Sequence, residues 1–169
     1  MKRLFALFAV ICVAALPAVA QKFALIDMEY ILGKIPAYER ADEQLNQLSK
    51  RWQAEVDALS LEAETLYKNY QNEVMFLSEE QKNKKEEEIV AKETEAKELK
   101  RKYFGTEGEL YKKRESLMAP IQDEIYEAVK SISESKGYSV VVDRASAGSM
   151  IYASPKIDIS NEVLEKMGY

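Results

Sequence analysis

Few side chains in this sequence could do covalent chemistry. It has no histidine, and its single cysteine is Cys12. Without an imidazole, or a thiol beside a base, no nucleophilic triad can be assembled, and the usual transition-metal ligands are missing. No G-x-x-x-x-G-K-[ST] loop is present to cradle nucleotide phosphates. What is left is carboxylate. Asp27 and Asp143 close two runs of strand formers, Phe23-Ala24-Leu25-Ile26 and Tyr138-Ser139-Val140-Val141-Val142. Two acids at adjacent strand ends could share general acid–base work, but an acid placed there is usually a turn or cap residue. The chain reads as a non-enzyme with no cofactor and no metal.

The other available chemistry is non-covalent. Tyr67, Tyr70, Val74, Met75, Phe76 and Leu77 cluster just before Ser78, and the stretch after it, Gln81-Lys82-Asn83-Lys84-Lys85-Glu86-Glu87-Glu88, contains no apolar residue. If the chain turns back near residues 77–78, these stretches face each other. In one reading the lysine and glutamate stems lie over the tyrosines and close the seam. In the other, the six residues form a partly exposed, adaptable apolar surface that holds another chain, a use to which methionine and aromatic side chains are suited. Spacing alone leaves both open.

The element that positions this cluster is long. Apolar residues recur at Tyr38, Ala41, Leu45, Leu48, Trp52, Val56, Leu59, Ala63, Leu66, Tyr70, Val74 and Leu77, in steps of three and four, the period that keeps one seam against a partner helix. No proline follows Pro36 and no glycine precedes Gly105 in this stretch, so about forty residues of helix, roughly 60 Å, are expected. Ser78 with Gln81 forms a capping box that starts a return helix. Its seam runs through Ile89, Ala96, Leu99, Tyr103, Leu110 and Leu117 to Ile132. Antiparallel pairing about the tip puts Trp52 near Tyr103 and Phe104 as an aromatic plug. Gly105 and Gly108 are expected inside this helix, either admitting the Trp52 ring closely or acting as a hinge. Pro120 is expected to kink the helix or start a new one, and Gly137 to end it.

The ends of the chain set its compartment and its body. Met1-Lys2-Arg3, the apolar run Leu4 to Leu16, and Pro17-Ala18-Val19-Ala20 read as a secretory signal peptide (residues 1–20). Cleavage removes Cys12 and leaves 22 basic against 29 acidic residues, a net charge of −7, which argues against a nucleic-acid partner. Basic residues bunch at Lys97, Lys100, Arg101, Lys102 and at Lys112, Lys113, Arg114. Interleaved glutamates favour a solvated helix face over lipid phosphate contact there.

Two further strands are expected: 138–143, and Met150-Ile151-Tyr152-Ala153, joined by Ala145-Ser146-Ala147-Gly148-Ser149. A short helix capped by Ser160 follows. Three short strands cannot bury a core alone, and their edges would be open. Self-association into a closed β-structure would solve both problems. An obligate oligomer follows, with Phe23, Leu25, Ile26, Val140, Val141, Val142, Ile151 and Tyr152 in its body. The fold class is α+β, mainly α: residues 21–35 and 118–169 form the body and 36–117 the hairpin rod, its tip near 76–80.

The signal peptide, Phe23-Ala24-Leu25-Ile26-Asp27-Met28, the long hairpin, Tyr138-Ser139-Val140-Val141-Val142-Asp143, Tyr152 and Asp158-Ile159-Ser160-Asn161-Glu162-Val163-Leu164 together resemble the Skp/OmpH family of periplasmic chaperones. The resemblance covers the whole chain after residue 20. It implies a homotrimer whose body is a small β-barrel, with three helical tentacles around a cavity. The implied activity is to hold unfolded outer-membrane β-barrel proteins in the periplasm, without nucleotide, before their insertion. The best-known members are basic and this chain is acidic, so no residue for lipopolysaccharide or other lipid is carried over. The alternative is a structural or adaptor coiled-coil protein of the cell envelope, which would show one stable partner and no preference for unfolded chains.

Overall fold

The computed structural model describes residues 21–169; the signal-peptide reading lies outside them. The elements run β1 (Lys22–Ile26), α1 (Met28–Leu32), α2 (Pro36–Glu73), a 3-10 turn (Val74–Phe76), α3 (Glu79–Phe104), α4 (Glu109–Lys136), β2 (Tyr138–Asp143), a second 3-10 turn (Pro155–Ile157) and α5 (Ser160–Met167).

α2 is the expected rod, 38 residues in one helix and therefore about 57 Å long. It begins with Pro36 at its first position and Glu39 in its first turn, both suited to a helix N-terminus. At the far end Ser78 and Gln81 form the expected capping box: Gln81 N–H donates to Ser78 Oγ (3.3 Å), and Ser78 N–H donates to Gln81 Oε1 (2.9 Å). The chain thus reverses at the predicted place, and α3 returns along α2. Part-way down, Trp52 and Tyr103 stack with centroids 4.6 Å apart and planes 6° apart, and Phe104 meets Tyr103 edge-on at 6.4 Å. The predicted plug is present.

Three expectations fail on the way back. Gly105 and Gly108 do not lie inside a helix; they bound a break between α3 and α4. A Cβ on Gly105 would sit 2.4 Å from the Arg101 carbonyl oxygen, and one on Gly108 2.7 Å from that of Tyr103. The glycines are there because the backbone turns on itself, and it is backbone, not the Trp52 ring, that comes close. Pro120 does not start a helix: α4 runs through it unbroken. It lies on the exposed side, where water can take the carbonyl left without an N–H donor. α4 therefore crosses the expected rod-to-body boundary near residue 118 without interruption, so rod and body share one helix.

The third failure is the strand expected at Met150-Ile151-Tyr152-Ala153. These residues join no ladder, and Ile151 is 101% exposed. A strand exists only where a neighbour supplies its hydrogen bonds. The sheet has two strands, β1 and β2, paired in parallel from Phe23↔Val140 to Ile26↔Asp143. A parallel pair needs a crossover, and here the crossover is the entire hairpin. Gly137, in the left-handed conformation (φ 72°), ends α4 and turns the chain into β2, as expected.

The core lies on one face of this sheet. Ala24 and Ile26 of β1 meet Ile31 of α1, Ile35, Ala41 of α2, Ile121, Ile125, Ala128 and Ile132 of α4, and Ile159, Val163 and Leu164 at α5. Helices supply most of the apolar surface, so the two strands bury a core that they could not bury alone.

Candidate functional site

Each residue of the candidate surface owes its exposure to its place on the turn. Along the end of α2 and through the turn, positions three or four apart face α3, so Leu66, Tyr70, Val74 and Leu77 are half-buried in the seam, while Tyr67 lies off it and is half exposed. The 3-10 turn then lifts the chain away from both helices, leaving Met75 90% and Phe76 88% exposed. Free energy is lost by leaving two such side chains in water when about 1.5–3 kcal/mol is available from burying each.

The covering that the first reading expects is present over part of this region. Lysine stems do close the seam: Lys82 and Lys85 are partly buried, Lys85 reaches across to Glu73 at 2.7 Å, and Lys92 reaches Glu62 at 3.2 Å. The Tyr70 hydroxyl donates to Glu86 across the same seam. That contact pushes the phenol's pKa up, and partial desolvation adds to it. Tyr67, Met75 and Phe76 are not covered. Met75 and Phe76 form the open apolar end of the rod, and Tyr67 lies about two turns below it.

The expected body residues also divide. In the parallel register Phe23 pairs with Val140 and Leu25 with Val142, so these four share one sheet face; Ala24, Ile26 and Val141 share the other. Ile26 and Val141 belong to the chain's own core, and Leu25 is covered where Ile159 N–H donates to its carbonyl (2.9 Å). Phe23 (51%), Val140 (45%) and Val142 remain exposed on that face, and Ile151 and Tyr152 remain exposed in the loop after β2.

Residues that the sequence reading left out tie the body together. Arg144, just after β2, donates from Nε to Asp27 Oδ2 (2.9 Å) and lies 3.5 Å from Asp158. Asp158 accepts the Ser160 hydroxyl (2.6 Å), and Ser160 Oγ accepts the Asp27 N–H (2.8 Å). Ser160 was the expected cap of the last helix; with its hydroxyl engaged in this bridge, Asp158 takes the Ser160 N–H instead (2.9 Å). No signal in the sequence joins positions so far apart.

Asp27 and Asp143 do come to neighbouring strand ends, and both act as caps. Asp27 accepts the Tyr30 N–H that starts α1. That bond, then Arg144, holds its carboxyl below the usual range. Burial works against a charge on Asp143, but hydrogen bonds from the Met28 N–H, the Ser146 side chain and the Ala145 N–H outweigh it and lower its pKa. Among the described residues no cluster of acids is arranged to hold a metal. No helix among them is long and apolar enough to cross a membrane.

Known proteins share this arrangement. The chain is 27% identical over 157 residues to the chaperone protein Skp of Yersinia enterocolitica, covering 88% of this chain and 87% of that protein. It is 22% identical over 167 residues to the chaperone protein Skp of Pectobacterium atrosepticum, covering 94% and 92%. Its fold matches the crystal structure of an OmpH-like outer membrane chaperone from Caulobacter crescentus with a TM-score of 0.67, over 88% of this chain and 85% of that one, at 13% identity. The family model for OmpH-like outer membrane proteins matches residues 22–167, nearly all that the structure describes, and this chain belongs to that family.

Proposed function

We propose that this protein is an ATP-independent holdase chaperone of the periplasm. It binds unfolded outer-membrane β-barrel proteins and keeps them from aggregating before insertion. The observation that carries the reading is the open apolar end of the rod: Met75 and Phe76 almost fully exposed, on an element whose only evident use is reach. Relatives named as chaperones support it. Residues 36–117 are the arm and residues 21–35 and 118–169 the body. The open face at Phe23, Val140 and Val142, with Ile151 and Tyr152 of the loop after β2, is where copies join into a homotrimer. Three arms give many weak apolar contacts, and avidity without a specific pocket.

The experiment dilutes a urea-unfolded outer-membrane barrel into buffer with and without the protein, without nucleotide, and follows light scattering. Suppression saturating at about three chains per client, the count for one trimer around one client, is the expected result. If the folded protein suppresses nothing, and a pull-down instead returns one stable partner, the envelope-adaptor reading replaces this one.

A further inference from the structure

Between Glu64 and Glu88, through the whole outer hairpin, not one residue is buried. Helices of this length without a buried face are marginal in water. What spans the seam here is polar: Lys85 to Glu73, Lys92 to Glu62, and the Tyr70 hydroxyl to Glu86. These groups are largely exposed, and exposed ion pairs hold weakly and are screened by salt. Beneath them Leu66, Tyr70, Val74 and Leu77 are half-buried on the α2 side; Ile89 is buried at the level of Leu66, and from there to the tip the return helix offers only charged and polar residues. Apolar side chains covered by charged stems have more to gain from an apolar partner than from their present one.

We propose that this outer seam is a second, latent binding surface: α3 lifts from α2 beyond about residue 64, and the strip Leu66, Tyr70, Val74 and Leu77 takes an apolar segment of an unfolded chain. The occupant follows from the strip itself. It is narrow, runs along a helix, ends at the exposed Met75 and Phe76, and offers no polar pocket that a folded partner would need. This inference rests on the holdase reading, and deepens it by naming where along the arm an unfolded chain lies.

The chain from Gln21 onward has no cysteine, so Tyr70→Cys with Glu86→Cys introduces a unique pair across the seam. Joining the pair with a short bis-maleimide locks the hairpin shut; capping each thiol with N-ethylmaleimide leaves it free. Both forms carry the same substitutions, which removes the loss of Tyr70 from the comparison. The expected result is that the locked form binds an unfolded barrel at least threefold more weakly than the capped form. Equal binding by the two forms overturns the proposal. A Met75→Ser, Phe76→Ser variant of the otherwise unaltered protein separates the two readings. If it loses client while locking has no effect, the latent seam falls and the holdase reading stands; if the unaltered protein binds no unfolded barrel at all, the holdase reading falls with it. Amide exchange in the unaltered protein supplies a readout independent of any variant. Residues 64–88 are expected to exchange at least tenfold faster than residues 121–132, and faster still at high salt. Equal protection in the two segments contradicts a seam that opens.

Discussion

In the body, Ile31, Ile35, Ile125, Ile159 and Val163 are sealed from solvent. In the outer hairpin no residue between Glu64 and Glu88 is buried, although both regions are made mostly of helix. The body is held by excluded water. The outer rod is held by a capping box, by i,i+4 pairs such as Lys68 with Glu64 at 2.6 Å, and by a few polar contacts across the seam. Between them the inner rod keeps buried apolar residues past the Trp52–Tyr103 stack, at Val56, Ala63, Ile89 and Ala96, and apolar packing gives way to charge only beyond about residue 64. Helical content is therefore a poor guide to where stability lies in this chain. Buried area is a better one.

That contrast can be broken by substitution. Ile125→Ala empties a site that is 2% exposed at the centre of the core, and should cost about 2–5 kcal/mol of stability, read as a drop in the urea midpoint. A loss under about 1 kcal/mol would mean that the body is not the stable region. Trp52→Ala, in the inner rod, should cost about 2–3 kcal/mol, the half-buried ring's burial together with a stacking contribution of about 0.5–1.5 kcal/mol. Amide exchange should place that loss in the rod near residue 103 and leave the body unchanged.

Acid and base should act on different regions. The carboxyls of Asp27 and Asp143 are held below their ordinary value of 3.8. Their contribution is present above that value and is lost as pH falls through the lowered folded-state values. The body should therefore loosen below about pH 4, and Arg144→Ala should reduce the share of this acid loss that comes from Asp27, the part held by the Tyr30 N–H remaining. Tyr103, whose hydroxyl donates to Glu55 at 2.6 Å, is pushed above 10.0 by that bond and by desolvation. Its contribution is fully present below pH 10 and disappears as pH rises through the raised value. Helix content of the rod, followed by circular dichroism, should fall there in the parent and less in Tyr103→Phe. The smallest effect on stability should come from the tip. Met75→Ser with Phe76→Ser, at nearly full exposure, should move the urea midpoint by less than about 0.5 kcal/mol, while client holding falls severalfold. A tip variant that loses stability as well would show that these side chains serve the fold.

Much of this was readable in the chain. The steps of three and four from Tyr38 to Leu77 placed α2, and Ser78 with Gln81 placed the reversal, because helix periodicity and capping are local properties. The exposure of Met75 and Phe76 was one of two readings that spacing left open, and the 3-10 turn decided it. Where a residue's role depended on distant partners, the reading failed. Pro120 looked like a break because its solvent-facing placement could not be seen. Gly105 and Gly108 looked like helix interior because the tightness of the turn is visible only in the backbone. Met150 to Ala153 looked like a strand because apolar alternation is legible and the presence of a neighbouring strand is not.

By itself the sequence determined the rod, its length, its tip and the chemistry it lacks, since each depends on residues within a few turns of one another. Only the tertiary structure decided that β1 and β2 pair in parallel across the whole hairpin, that Ile26 and Val141 face inward while Phe23 and Val140 face out, and that Arg144 bridges Asp27 and Asp158. Those facts join residues more than a hundred positions apart or fix one strand's register on another. No local pattern encodes such distances; they are set when the apolar faces of α1, α4 and α5 close on one side of the sheet.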